Sequence, residues 1–289
     1  MKKILVTGSS GYIGSHLCKL LEKDYIVHGL DIREPQHPVK EFYKIDINRP
    51  FDSDEEYDAV IHLAALVNIS ESEKHPIIHY ITNLNGTMNV INRIKTKNFI
   101  FASTGAAVLC DSAYGISKRA AEDVVREYCT EHDNIPYTIF RFYNVIGTSG
   151  YGPTNIDGLM YNLMKMRETR EFTIYGNDYP TGFDGTCVRD YVHVDEICYA
   201  LKLAIEKPAN TVESLGHGVG YSVKEIFEIF ERVNQNYLYP TGEEDAITMK
   251  IGPRRKGDTP HSVLEDVSKY MVDMFTIDEL LKVDTLTKQ

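Results

Sequence analysis

In the first half of the chain, short unbroken apolar runs alternate with stretches whose apolar residues recur every three or four positions. The runs "KKILVTG", "YIVHGLD", "FYKID", "YDAVIHLA", "NFIFAS" and "YTIFRFYNV" read as strands. They are rich in β-branched residues and lack the alternation of a half-solvated strand, so they predict strands buried on both faces. "SHLCKLLEK" and "SKRAAEDVVREYCTEH" carry the helical period. Repeated strand and helix imply an α/β fold with a doubly wound parallel sheet. The second half is less regular and rich in Gly, Pro and Tyr, with helices expected near Val194–Glu206, Ser222–Asn234 and Ile277–Lys282. It reads as a smaller domain laid over the sheet. The expected division is 1–150, with a return segment near 185–210, and mostly 151–289.

Composition narrows the class. A chain of 289 residues, 43% hydrophobic, buries a substantial core as one large domain or two smaller ones. A formal net charge of -11 argues against general binding to nucleic acid or to an anionic membrane. It leaves room for a small anionic ligand held by local arginines. Cys18, Cys110, Cys129, Cys187 and Cys198 form no C-x-x-C pair and read as buried reduced thiols. No apolar run reaches the length of a membrane span, and the one at the N-terminus is too short for a signal peptide. A cytoplasmic, reducing setting is expected. No metal site is expected.

The segment "VTGSSGYIGSH" places Gly8, Gly11 and Gly14 after the first strand and at the start of a helix. Glycine allows a tight turn and a close backbone approach to a pyrophosphate, and a helix N-terminus offers free N–H groups. The alternative is a purely structural turn, but strand before and helix after are the context a dinucleotide site requires. Asp31 ends the second strand, where an acid meets an adenosine ribose. A carboxylate there favours NAD over NADP; Arg33 weakens that preference. Asp46 ends a third strand and either meets the adenine or is a solvated loop acid.

"ASTGAAVLCDSAYGISK" holds the candidate chemistry. Tyr114 and Lys118, four apart on a helix, share a face. A phenol ionises near pH 10 in water, too high for a useful base at neutral pH. A nearby ammonium and a nicotinamide cation would lower that value. A hydroxyl at the end of the preceding strand completes a proton path. Alone, Y-x-x-x-K is a common accident of a surface Lys beside a packed Tyr. In the fifth strand–helix position of a nucleotide-binding sheet it reads as a site.

The spacing Gly8-x-x-Gly11-x-x-Gly14 together with Tyr114-x-x-x-Lys118 resembles the extended short-chain dehydrogenase/reductase family. That resemblance implies a Rossmann-type NAD-binding domain and a smaller C-terminal substrate-binding domain. Further segments resemble UDP-galactose (UDP-glucose) 4-epimerases: "YGNDYPTGFDGTCVRDYVHV" at Tyr175–Val194, "FYNVIG" at Phe142–Gly147, "LGHGVGYSV" at Leu215–Val223, "NLNGT" at Asn83–Thr87 and "PRRKGD" at Pro253–Asp258. They run in order along most of the chain.

The resemblance implies the following roles. Thr104 matches the catalytic hydroxyl of the fifth strand, with Ser103 in reserve and as a cofactor contact. Tyr114 is the acid/base, and Lys118 holds the nicotinamide ribose. Tyr12, Ile13, Ile32, Ile47, Leu63, Ala64, Ala65 and Asn83 join Gly8, Gly11, Gly14, Asp31 and Asp46 as NAD contacts. Arg189 and Arg255 hold the UDP diphosphate, for which a forked guanidinium is suited; a solvated basic run is the plain alternative for Arg254–Lys256. Asp258 binds the uridine ribose or orients an arginine, and Asn144 and Leu159 contact the sugar nucleotide. Tyr175 lies beside the uracil or is a core aromatic. The implied partners are a UDP-sugar and a second copy of the chain, dimerising through helices at Ile77–Ile94 and Tyr114–His132. The implied reaction inverts C4 of the sugar through a transient 4-keto intermediate.

The chain departs from that pattern at four places. Val67 and Gly158 replace a Lys and an Asn that contact cofactor and diphosphate. Only nine residues separate Thr104 from Tyr114, against a much longer loop in relatives. Ser262, four after Asp258, stands where a bulky Tyr restricts the sugar pocket, leaving room for an N-acetyl group, as in UDP-GlcNAc or UDP-GalNAc. Competing readings are a UDP-glucuronate epimerase or decarboxylase, a 4,6-dehydratase, and a catalytically silent NAD-sensing protein. The dehydratase is disfavoured because Gly105 and Ala106, rather than acids, follow Thr104.

Overall fold

A computed structural model describes residues 1–131, 134–148, 150–153, 158–240, 246–271 and 274–283. Seven strands form one sheet: β1 (Lys3–Thr7), β2 (Ile26–Asp31), β3 (Glu41–Lys44), β4 (Ala59–His62), β5 (Phe99–Thr104), β6 (Tyr137–Phe142) and β7 (Asn210–Leu215). Their order is β7-β6-β5-β4-β1-β2-β3, and every pairing is parallel. This is the doubly wound Rossmann arrangement expected from the apolar runs, with the order reversing between β1 and β4. Alternate residues of one strand feed opposite cores. Ile4 and Val6 join an apolar cluster with helices α1 (Tyr12–Leu21) and Val194–Glu206. Leu5 joins the other, with helices Gly86–Arg93 and Ala113–Glu131. Losing one large apolar side chain from either cluster would cost about 3 kcal/mol.

The return from the second half reaches further than 185–210. The helix Val194–Glu206 packs beside α1, and β7 then adds an edge to the first-half sheet by pairing with β6. The remaining second-half elements form a third apolar cluster, built on helices Leu159–Thr169 and Val223–Val233. The latter runs one residue short of the expected span at each end because Ser222 caps it, its hydroxyl accepting the Glu225 N–H. The segment expected as one helix at Ile77–Ile94 has a π-helical turn at Ile81–Asn85 between α-helical stretches. The end of the other expected helix, His132, lies outside the described residues. No helix among the described residues is long and apolar enough to cross a membrane. None of the five cysteines is in a disulfide, and only Cys110 is not buried.

Candidate active site

The glycine turn sits at the carboxyl end of β1. Gly8 has φ +71°, and a Cβ there would fall 2.7 Å from the Ala64 nitrogen. At Gly14 a Cβ would meet the Gly8 carbonyl oxygen at 2.1 Å. Both positions therefore require glycine, one for its backbone angle and one for its packing. Gly11 donates its N–H to Gly8, and Tyr12, Ile13 and Gly14 open α1, where backbone N–H groups have no intrahelical acceptor. Asp31 is buried and accepts the backbone N–H groups of Ser10 and Arg33 at 3.0 Å each. This fixes the carboxylate against the turn. Beside it, Ile32 is 61% exposed, an apolar surface suited to a planar ring. The turn, the acid and the apolar face together fit a dinucleotide.

The loop after β4 carries Leu63, Ala64 and Ala65 and is held from below. Thr7 Oγ1 accepts the Ala64 N–H, and His62 bridges Thr7 Oγ1 (2.6 Å) and Thr87 Oγ1 (3.0 Å). Burial lowers the His62 imidazole to about 3, with Lys118 adding repulsion, so the ring is neutral and acts as a brace. Asn83, expected as a cofactor contact, has its buried amide hydrogen-bonded within the protein. It accepts the Leu66 N–H and donates to Leu66 O and Ser117 Oγ. The π-helical turn carries this residue, so Asn83 tethers the loop to the Tyr114 helix. Ile47 and Tyr12 likewise have their side chains engaged within the protein. The Ile47 side chain is in the core and its carbonyl accepts from Asn89. The Tyr12 hydroxyl donates to the Gly147 carbonyl, leaving only its backbone toward a ligand. Asp46 accepts the Asn48 N–H in a half-exposed loop.

The helix Ala113–Glu131 brings Tyr114 and Lys118 to the end of β5. Thr104 Oγ1 accepts the Ala106 N–H at 3.2 Å, and its hydroxyl lies near enough to the Tyr114 phenol to favour the ionised form. Lys118 Nζ lies 4.1 Å from the centre of the Phe101 ring and is buried. Burial pushes the phenol up to about 12, with the Thr104 hydroxyl opposing it, and pulls the Lys118 amine down to about 7, with Glu122 opposing. The expectation that Lys118 lowers the phenol is thus not met within the chain itself, because burial outweighs the other contributions. The Ser103 side chain is engaged elsewhere. Side chains alternate along a strand, so Ser103 faces away from Thr104. Its hydroxyl donates to Glu122 at 2.5 Å, and Arg141 binds the same carboxylate twice, at 2.9 and 2.6 Å. Neither Glu122 nor Arg141 was expected. A signal existed, since Glu122 follows Lys118 by four on a helical face otherwise buried at Tyr114, Ala121 and Val125.

In the second half of the chain, the strand Glu171–Tyr175 pairs with Thr248–Gly252, so that Tyr175 lies opposite Gly252 and Arg255 follows closely. The Arg255 guanidinium stacks 3.7 Å from the Tyr175 ring centre. Arg189, on the strand Val188–His193, approaches Asp258 at 3.8 Å and pairs with Ser262 in a short parallel ladder. Paired residues share a face, so Ser262 stands beside Arg189. Burial raises the Asp258 carboxyl, the two arginines oppose it, and Asp111 of the short loop adds repulsion. Asn144 donates to the Asp190 carbonyl. Leu159 opens its helix after Gly158, which supplies no side-chain cap. Asp190 itself is buried and accepts N–H groups from His217, Gly218 and Leu264. It thereby joins the "VRDYV" and "LGHG" segments, a role not foreseen.

Comparisons with known proteins agree with this geometry. Residues 4–217 match the model of the NAD dependent epimerase/dehydratase family. The chain is 34% identical over 310 aligned positions to a UDP-glucose 4-epimerase of Lactobacillus helveticus, covering 92% of this chain and 89% of that one. It is 32% identical to the UDP-glucose 4-epimerase of Bacillus subtilis, covering 88% and 86%. In three dimensions it is similar to the UDP-glucose 4-epimerase of Bifidobacterium longum, solved in complex with NAD+ and UDP. The TM-score is 0.82, the identity 28% and the coverage 96% of both chains. The chain therefore belongs to the NAD dependent epimerase/dehydratase family.

Proposed function

We propose that this protein is a NAD-dependent UDP-sugar 4-epimerase. Its substrates are UDP-glucose and UDP-galactose, and the small Ser262 admits their N-acetylated forms. One observation carries the reading: the loop of Arg255 and Asp258, which with Arg189 and Tyr175 forms a clamp, packs on the start of the helix that brings Tyr114 and Lys118 to the end of β5 beside Thr104, through Gly257 near Ser112 and Lys256 on Glu73. The set of Thr104, Tyr114 and Lys118 suits proton transfer at a secondary alcohol and the clamp a uridine diphosphate.

When bound, NAD supplies a reversible acceptor for the hydrogen on sugar C4. Tyr114 takes the proton of the 4-hydroxyl, relayed through Thr104, and Lys118 holds the nicotinamide ribose. The phenol of the isolated chain is too basic for this step, so the positive ring of the oxidised cofactor is needed to favour the phenolate. The 4-keto sugar turns about its diphosphate while Arg189 and Arg255 keep hold of the nucleotide. C4 would take its hydride back from the reduced cofactor on the opposite face, and Tyr114 returns the proton to the 4-oxygen. Binding energy is thus supplied far from the reacting carbon.

Two further elements belong to this reading. The 1–150 segment and the return through β7 hold the cofactor, and the rest of 151–289 holds the sugar nucleotide. The protein is a homodimer: Ile77, Ile78, Ile81, Met88 and Ile116 are exposed apolar side chains on the two expected interface helices. Light scattering at micromolar concentration should give twice the chain mass.

The test of function is product analysis on UDP-glucose, UDP-galactose, their N-acetyl forms and UDP-glucuronate. Tyr114→Phe should bind UDP yet lose about 10³-fold in turnover. Near-normal epimerisation by that variant would sink the assignment. Ser262→Tyr should abolish turnover of UDP-GlcNAc and spare UDP-galactose.

A further inference from the structure

The helix that carries Tyr114 begins with N–H groups that its own turns cannot satisfy. Two of them are satisfied by a different element, the short helix Ile69–Lys74. Glu73 Oε1 accepts the Ala113 N–H at 3.1 Å, and Ser72 Oγ accepts the Tyr114 N–H at 3.1 Å. The helix's own cap, Ser112, takes the Gly115 N–H. The backbone at the reactive phenol is therefore positioned from outside its own helix.

The same Glu73 carboxylate has a second partner. Its Oε2 lies 2.9 Å from Lys256 Nζ, in the loop that carries Arg255 and Asp258. Gly257 of that loop is packed closely enough that a Cβ would fall 3.0 Å from Ile69 Cγ2 and 3.6 Å from Ser112 Cβ. Glu73 is largely buried while Lys256 is exposed. Lys256, then Ala113, holds the Glu73 carboxyl below the usual range, against burial. One carboxylate thus faces the nucleotide clamp with one oxygen and the catalytic helix with the other.

We propose that Glu73 is a positioning residue that couples the diphosphate-binding loop to the orientation of Tyr114. This rests on the reading of Arg255 as a UDP ligand and Tyr114 as the proton carrier. When UDP fixes the Arg254–Asp258 loop, Lys256 is held against Glu73, and the acceptor for the Ala113 N–H is held with it. The nucleotide end of the substrate then helps set the geometry at the sugar end. An exposed ammonium adds little stability, so the bridge acts on orientation rather than folding.

The experiment combines amide exchange with steady-state kinetics. In the wild type, UDP should slow exchange at Ala113 and Tyr114 by about 5-fold or more, the lower end of ordinary coupling between sites. In Lys256→Met and in Glu73→Gln this protection should shrink below about 2-fold and kcat should fall several-fold, with the calorimetric Kd for UDP nearly unchanged. The charge-swapped double variant Glu73→Lys with Lys256→Glu restores an ion pair but leaves the Ala113 N–H without its acceptor. It should keep thermal stability near that of the wild type and still fail to recover kcat. Wild-type kcat and undiminished UDP-dependent protection in the single variants would overturn the proposal, as would full recovery of kcat on swapping. The underlying reading fails separately, if wild-type protein does not bind UDP or if Tyr114→Phe turns over normally.

Discussion

The two walls of the candidate site are built by different means. The cofactor wall is set by backbone: a positive-φ glycine, a glycine pressed against a carbonyl, and a carboxylate held by two N–H groups. The wall proposed to hold the nucleotide is set by side chains: Arg255 stacked on Tyr175, Arg189 near Asp258, Lys256 on Glu73. Backbone geometry tolerates no added atom, whereas a side-chain clamp loses its members one at a time. Substitutions should therefore act nearly all-or-none on the first wall and by degrees on the second.

The largest effect is expected at Gly8→Val. The left-handed backbone and the 2.7 Å approach to Ala64 leave no room, so NAD binding measured by fluorescence should be lost outright. Arg189→Ala and Arg255→Ala should each weaken UDP by about 2 kcal/mol, the scale of a hydrogen bond to a charged group. Calorimetry should then find measurable but poorer binding. Equal, complete losses on both walls would erase the contrast.

A smaller effect concerns Lys118. Its amine is lowered to about 7 by burial, while the unfolded value lies near 10.4. Between those values the unfolded chain binds more protons, so stability from this group rises with pH across about 7 to 10. Lys118→Met removes the titration. The advantage of that variant in unfolding free energy should narrow as pH rises, by at most about 1.4 kcal/mol per unit. Chemical denaturation at pH 7 and 9 measures it; a constant gap would show that the amine is not depressed.

The cofactor wall was also the more legible in sequence, for the same reason. Backbone-determined sites need glycine at fixed spacing after a strand, and that is a local pattern. The side-chain wall joins residues far apart in the chain. Only the resemblance to known epimerases brought Tyr175, Arg189 and Arg255 together. The inward bonds of Ser103 and Asn83 were not foreseen because residue type does not reveal which way a side chain faces. Ser103 lies on the opposite parity of β5 from Thr104, and Asn83 is turned inward on a π-helical turn. Glu73 left no signal, since an acid on a short polar helix reads as solvated until Ala113 and Lys256 are seen to meet it.

The edge strand β7 has a consequence for how the chain can be divided. Cutting the connection near residue 153 would not release two autonomous halves. The first would keep β6 with an open edge of unpaired N–H and C=O groups, a template for pairing with other chains. The second would carry β7 and the helix Val194–Glu206 without the sheet that buries them. The pieces should aggregate when made separately and assemble into one active particle when made together.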